Sequence, residues 1–274
     1  MYICPKCSEE LVKTENTLKC AAGHSYDISS KGYINLLLGN KKSGIHGDNK
    51  EMITARRRFL SLGYYDLIAD KLSEIIAEFC RKNGVRSPKI LDAGCGEGYY
   101  SGKIFQRLAS LLQDSPIVYA TDVSKDAVLL GARTYKSIDF SVSSINKLPF
   151  PDKSFDIVLS LFAPLSETEF DRVLKKGGVF ITVSPSENHL MGLKSVIYDT
   201  PYKNPPSTFI PIILRKVNEE IITGEMTLKT NESIMDLFSM TPYYYNTSDK
   251  DKDKLKSVTS LKTEIGFVFG VFVK

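Results

Sequence analysis

Ile90-Leu91-Asp92-Ala93-Gly94-Cys95-Gly96-Glu97-Gly98 decides the fold. A short apolar run ends in an acid, three glycines follow at alternate positions, and Tyr99 opens a stretch with helical spacing. The reading is strand, tight turn, helix. Glycines let such a turn reverse sharply and let a ligand approach the backbone, because no Cβ intervenes. A dinucleotide fold would place its third glycine one position later, where Tyr99 stands, and would not set Glu97 against a pyrophosphate. Two acids beside the loop, Asp92 and Glu97, suit instead a ligand with an ammonium and a sulfonium. S-adenosylmethionine (SAM) is such a ligand.

Working outward, the Asp-x-Gly-x-Gly-x-Gly pattern resembles the first motif of class I SAM-dependent methyltransferases. A second strand, Ile117–Thr121, ends in Asp122, an acid placed to bind both ribose hydroxyls of a nucleoside. A helix around Asp126–Thr134 and a short strand, Phe140–Val142, come next. Ser144 then stands ahead of Leu148-Pro149-Phe150. The near-continuous apolar run Ser154–Ser160 has the character of a buried parallel strand, and Phe162-Ala163-Pro164 ends it. A helix to Leu174, a turn at Lys176-Gly177-Gly178 and a strand Val179–Val183 complete the unit. Alternating strands and helices predict an α/β fold, a doubly wound, Rossmann-like parallel sheet. Ligands of such sheets bind at the carboxyl ends of the strands. Asp92, Gly94, Gly96, Glu97, Gly98, Asp122, Ser144 and Phe162 all fall there.

The N-terminus carries a second chemistry. Cys4-x-x-Cys7 and Cys20-x-x-x-His24 have the spacing of two ligand pairs that close one tetrahedral Cys3His site. Thiolates suit Zn²⁺, and a segment this short and polar needs a staple. Four protein ligands leave no open position, so one structural Zn²⁺ per chain is expected. Tyr26-Asp27-Ile28 and Gly32–Leu38 read as a strand edge and a docking segment. Gly39–Asn49, with Lys41, Lys42 and a solvated His46, reads as a linker. Glu51–Leu62 reads as a helix bearing Arg56-Arg57-Arg58, of which one or two could meet phosphates and the rest stay solvated or paired within the chain. Gly63-Tyr64-Tyr65 breaks it, and Asp66–Cys80 is an amphipathic helix. The first 60 residues hold ten Lys/Arg and six Asp/Glu, so the whole net charge of +4 lies there. That excess suits an anionic partner, or an ordinary solvated surface.

Beyond Pro185 the pattern loses regularity. Pro201, Pro205, Pro206 and Pro211 interrupt the chain, and 185–230 is expected to be a substrate-side insertion. Glu232–Ser239 reads as a helix, Lys250–Lys256 as a solvated charged stretch, and Ser257–Ile265 with Phe267–Val273 as an edge hairpin about Gly266. The expected division is a zinc-binding module over 1–38, a linker and basic helix over 39–62, and a methyltransferase domain over 63–274. No apolar run of the 274 residues approaches the roughly 20 that span a membrane. The N-terminus lacks the regions of a signal peptide, and five cysteines, some at metal spacing, fit a reducing cytoplasm better than a disulfide framework.

Taken together, the chain resembles the bacterial 23S rRNA (guanine-N1)-methyltransferases of the zinc-module type. The residues that carry the resemblance are Cys4, Cys7, Cys20 and His24, Gly32-Tyr33-Ile34-Asn35-Leu36, Ala55-Arg56-Arg57, Leu91–Tyr100, Ala163-Pro164, His189-Leu190-Met191 and Met240-Thr241-Pro242. The resemblance implies zinc on the three cysteines and His24, and SAM contacts from Tyr65, Gly96, Glu97 and His189. It implies a 23S rRNA partner, methylated in a hairpin loop of domain II. Read by themselves, Tyr65 and His189 are packing residues. Ser144 departs from the Asp that many class I enzymes carry there for the adenine amino group. Two rivals stand beside this reading: a methyltransferase acting on a small molecule or protein, and a zinc-ribbon RNA-binding protein without catalysis. No residue marks itself as the general base. Oligomeric state is open, a homodimer being one arrangement that would extend a basic surface.

Overall fold

The computed structural model describes residues 1–39, 49–206 and 211–274. Residues 40–48 of the linker, with Lys41, Lys42 and His46, lie outside the described residues. The chain opens with four short strands, β1 (Tyr2–Ile3), β2 (Glu10–Thr14), β3 (Thr17–Lys19) and β4 (Ser25–Asp27), followed by β5 (Tyr33–Asn35). There follow α1 (Lys50–Ser61), α2 (Asp66–Asn83), β6 (Lys89–Ala93), α3 (Tyr99–Leu111), β7 (Ile117–Asp122), α4 (Lys125–Thr134) and β8 (Ile138–Val142). The rest is β9 (Phe155–Leu161), α5 (Glu167–Val173), β10 (Leu174–Pro185), α6 (Met191–Ile197), β11 (Arg215–Leu228), α7 (Asn231–Ser239), α8 (Tyr243–Asn246), α9 (Asp249–Lys256) and β12 (Leu261–Val273).

Strands β1 to β4 form an antiparallel sheet in sequence order. The large sheet has the order β11-β12-β10-β9-β6-β7-β8-β5. From β10 to β5 every pair is parallel, and β12 runs antiparallel to both of its neighbours. The chain winds from β6 through β7 to β8, then crosses back to β9 and β10. The order therefore reverses between β6 and β9, which is where a doubly wound sheet opens its ligand crevice.

Strand residues alternate between two cores. Ile90, Val118, Ala120, Ile157, Leu159 and Ile181 meet buried residues of α1 to α4, α6 and α7. Leu91, Tyr119, Val158 and Phe180 face the other way, onto Phe170 and Val173 of α5 and onto Tyr2, Leu11 and Leu18 of the small sheet. Tyr2 packs on Tyr119 and Phe150 with ring centroids 5.9 and 5.1 Å apart. The N-terminal module thus covers a face that parallel sheets ordinarily cover with helices, and β5 extends the sheet beside β8 (Tyr33 opposite Phe140).

The C-terminal third departs from expectation in three places. Residues 215–228 are not irregular but form the outermost strand, β11. The expected edge hairpin about Gly266 is one strand, β12, inserted between β10 and β11. Gly266 is there for closeness, not for turning: a Cβ on it would stand 2.0 Å from Ser186 Oγ. The charged stretch is helix α9, capped by Ser248 and laced by Lys252–Asp249, Lys254–Asp251 and Lys256–Asp253 pairs, with Leu255 its one buried residue. The expected turn at Lys176-Gly177-Gly178 survives inside β10 as a register shift between Leu174 and Val179, with Gly177 at φ 76°.

Gly266→Ala should lower the melting temperature by several degrees, since overpacking costs about 1–3 kcal/mol. Ser186→Gly in the same chain should recover most of the loss. Thermal melts of the two single and the double variant check this coupling.

Candidate cofactor site and zinc module

The turn after β6 is built of glycines because nothing larger fits. Gly94, Gly96 and Gly98 have φ of 86°, 55° and 74°. A Cβ on Gly94 would meet Ala163 Cβ at 2.6 Å, and one on Gly98 would meet Phe140 Cζ at 2.6 Å. The Gly94 and Cys95 amides donate to the Thr121 carbonyl at 2.8 and 3.0 Å, so the turn is tied to the end of β7. Asp122, the next residue, accepts from the Gly96 and Ser124 amides at 2.9 and 2.8 Å. Asp122 thereby ties the end of β7 to both the glycine turn and the start of α4.

Asp92 and Glu97 are 1% and 5% exposed. Ser101, in the first turn of α3, donates to Asp92 Oδ2 at 2.5 Å, while Asp92 Oδ1 is buried without a hydrogen-bond partner. Glu97 Oε1 is likewise buried and unpartnered, and Oε2 stands 3.7 Å from the Arg57 guanidinium. Burial pushes the Asp92 carboxyl up to about 7 against the Ser101 hydroxyl, and the Asp122 charge adds to the rise. Burial likewise pushes Glu97 up to about 7, with Arg57 and Arg56 opposing. Unpartnered buried carboxylate oxygens are costly in a folded chain. Two of them at one glycine turn are what a cationic, hydroxyl-bearing ligand would satisfy. The residues therefore fit SAM.

The arginine run divides by helix geometry. Arg58 turns away from the site and makes a two-point pair with Asp236, at 2.8 and 2.5 Å. Arg57 reaches Glu97 and Thr134. The Arg56 guanidinium lies 3.5 Å from where a Cβ on Gly96 would stand.

Tyr65 and His189 are brought together, from the start of α2 and the approach to α6. Tyr65 Oη and His189 Nε2 are 3.2 Å apart, and both residues are buried. The Gly266 amide donates to His189 Nδ1 at 3.1 Å. The neutral ring therefore carries its proton on Nε2 and donates it to Tyr65. Burial, and then Lys194, hold His189 down to about 4, so it stays neutral at physiological pH. Burial holds the Tyr65 hydroxyl above its ordinary range. Leu190, beside His189, sits at φ 62° and opens α6. Ser144 is half-buried just past β8, where its Oγ accepts from the Asn146 amide at 3.2 Å.

Sequence reasoning missed Ser101, Arg57 as the neighbour of Glu97, and the Gly266 amide. Ser101 had a readable signal: a buried acid ending a strand needs a donor from the next helix. The Gly266 amide had none, because it reaches His189 only through sheet pairing.

In the small sheet, Sγ of Cys4, Cys7 and Cys20 and a ring nitrogen of His24 lie within 4.8 Å of one another. His24 Nδ1 stands 3.5 and 3.4 Å from the sulfurs of Cys4 and Cys20, and the Cys7 and Cys20 sulfurs are 3.6 Å apart. Zinc bond lengths of about 2.3 Å to sulfur and 2.0 Å to nitrogen give tetrahedron edges of about 3.8 and 3.5 Å. The four residues fit one zinc ion. Tyr26 Oη lies 3.3 Å from Cys4 Sγ, beside the ligand set.

Fold and site together define a class I, SAM-dependent methyltransferase with an N-terminal zinc ribbon. Residues 2–44 match the family model described as "RlmA, N-terminal", and residues 86–255 match "Methyltransferase domain". YxjB of Bacillus subtilis (strain 168), provisionally named a 23S rRNA (guanine-N(1)-)-methyltransferase, is 32% identical over 221 residues, 76% of this chain and 73% of that protein. The 23S rRNA (guanine(748)-N(1))-methyltransferase of Streptomyces fradiae is 29% identical over 192 residues, 69% of this chain and 65% of that protein. A SAM-dependent methyltransferase structure from Aquifex aeolicus matches with a TM-score of 0.45 at 15% identity, covering 80% of this chain and 98% of that one. The chain belongs to the 23S rRNA (guanine-N1)-methyltransferase family.

The unpartnered acids set a pH dependence. Their folded pKa values lie above the ordinary carboxyl values, so the native state binds more protons than the unfolded chain between about pH 4 and 7. The stabilising contribution of the protonated carboxyls is complete below pH 4 and is lost as pH rises through 7. Ligand-free melts from pH 5 to 8 should fall more steeply for the native chain than for the Asp92→Asn, Glu97→Gln double variant. Added SAM should restore stability most at the upper end, for the native chain only.

Proposed function

We propose that the chain transfers a methyl group from SAM to N1 of a guanine in a hairpin loop of domain II of 23S rRNA, in the cytoplasm. The observation that carries this reading is kinship across both parts of the chain, ribbon and methyltransferase domain together. The parts are assigned as an RNA-recognising zinc module over 1–38, a linker and basic helix over 39–62, and the catalytic domain over 63–274. Cys4, Cys7, Cys20 and His24 hold the zinc.

SAM supplies a methyl group on a sulfonium, already a good leaving group. Asp92 and Glu97 offer buried negative charge to its cationic groups, and Gly94, Gly96 and Gly98 let it lie against the backbone. Asp122 takes the ribose hydroxyls, and Ser144 stands at the adenine end. Tyr65, oriented by His189, completes the pocket. What the chain adds to the chemistry is alignment, which can be worth about 7–11 kcal/mol. Guanine N1 carries a proton that must leave. His189 is not its acceptor, because the Gly266 amide occupies Nδ1 and the ring's own proton occupies Nε2. The target base must come out of its stack to reach the crevice. No helix of the described residues is long and apolar enough to cross a membrane.

Incubation with labelled SAM and 23S rRNA lacking its own modification should give 1-methylguanosine on nucleoside analysis. Label in a small molecule or protein instead would overturn the reading. RNA binding without SAM binding would favour the non-catalytic rival. Cys20→Ser should release zinc, read by metal analysis, and lower rRNA methylation at least tenfold while the SAM dissociation constant moves less than threefold. Full turnover after complete zinc loss would remove the module from RNA recognition.

A further inference from the structure

Leu161-Phe162-Ala163-Pro164 leaves the carboxyl end of β9, beside the β6 turn. Phe162 has φ 55°, a left-handed backbone conformation that is strained for a bulky residue and persists only where the surroundings enforce it. The enforcement is visible. The Phe162 amide donates to the Val183 carbonyl at 3.0 Å, and Ala163 fills the space that Gly94 leaves by having no Cβ. The strain brings the ring to the surface rather than into a core, since Phe162 is 45% exposed. Its edges are held by Phe267, with centroids 5.8 Å apart at 71°, and by Tyr100 at 6.3 Å. Phe267 in turn packs on Tyr65 and His189, both at 4.9 Å. An aromatic wall therefore runs from the Tyr65–His189 pair to a ring face that meets solvent.

Other aromatic groups near the mouth are occupied. Tyr64 stacks on Phe59 and donates to the Thr227 carbonyl. Tyr243 is buried and donates to Asn204. Tyr244 packs on Phe238 under the Lys252 ammonium. Of the exposed aromatic residues among the described ones, Tyr202 lies on Tyr198 and under Lys194, and Tyr245 donates to Met52 Sδ. Phe162 alone of this set presents a fixed, solvent-exposed ring at the carboxyl edge of the sheet, next to the glycine turn.

We propose that Phe162 is the platform on which the extruded target guanine stacks, a substrate-positioning contact resting on the rRNA reading above. A phenyl ring carries no donor or acceptor, so it fixes the plane and depth of the base and leaves its identity to other groups. The strained backbone holds that face ready, and base–aromatic stacking of this kind tolerates any base.

The test compares Phe162→Gly, Phe162→Leu and Phe162→Trp with the native chain, using unmodified 23S rRNA under single-turnover conditions. SAM dissociation constants are measured separately by calorimetry. Gly removes the ring and the backbone strain together, so that variant should melt no lower than the native chain. It should nonetheless lose about 10- to 100-fold in methyl transfer per unit RNA concentration, with SAM affinity within threefold. Leu, apolar but without a π face, should lose nearly as much, and Trp should keep most of the activity. Gly or Leu equal to native, or Trp as poor as Gly, would overturn the proposal. A parallel loss of SAM affinity would also overturn it, making Phe162 a wall of the cofactor pocket. If the native chain itself yields no 1-methylguanosine, the rRNA reading fails and takes the platform with it. If the native chain methylates and the variants do not differ, the platform alone fails.

Discussion

The constraint on which this structure depends is lack of room around the β6–α3 turn. Ala163 presses on Gly94 from the exit of β9, and Phe140 presses on Gly98 from β8. Neither glycine can carry even a methyl group without displacing Ala163 or the Phe140 ring. The turn is thus wedged between the two halves of the doubly wound sheet, at the point where strand order reverses. Its amides point at the end of β7, and Asp122 closes the loop by accepting from Gly96. A ligand pocket, a strand exit and an acid are fixed by a single close approach. Beside the same contact, Phe162 adopts a left-handed backbone with φ 55°.

Electrostatics follows from that packing. A wedged turn excludes water, and the acids at its two ends lose hydration without gaining full partners. Ser101 satisfies one oxygen of Asp92, and Arg57 approaches one oxygen of Glu97. The other two oxygens stay unmet, a cost that the fold sustains at the glycine turn. A site that were electrostatically content without ligand would gain little by binding one. The Tyr65–His189–Gly266 chain works oppositely. Every polar atom of the ring is engaged, its protonation is fixed by a backbone amide, and the group orients rather than titrates.

Much of this was legible. The Asp92–Gly98 stretch and Asp122 declare strand, turn and acid through residue type alone, because only glycine meets the conformational demand. The zinc ligands were legible for the same reason, since metal spacing is local. What failed lies in the C-terminal third. β11 is an outer strand exposed along most of its length, so Arg215–Met226 shows no alternation to read. α9 buries only Leu255, and its Asp-Lys repeat resembles a solvated linker although Ser248 and three ion pairs sustain a helix. Gly266 looked like a turn because glycine in a β-rich run has two meanings, reversal and close approach, and only tertiary contact with Ser186 tells them apart. Tyr65 and His189, more than a hundred residues apart, meet only through packing.

The zinc ribbon bears on the same economy of space. A parallel sheet needs both faces covered, and here α5 and the module share the second face. Tyr2 stacks into the Tyr119–Phe150–Phe155 cluster, and Ile3 and Leu36 donate backbone hydrogen bonds to Pro149 and Val142. The segment around Pro149 follows Ser144, and Val142 precedes it on β8. The module is packed into the large sheet as well as carrying the metal ligands. Its residues 33–35 form β5 of the large sheet, so ribbon and sheet make one continuous body of structure.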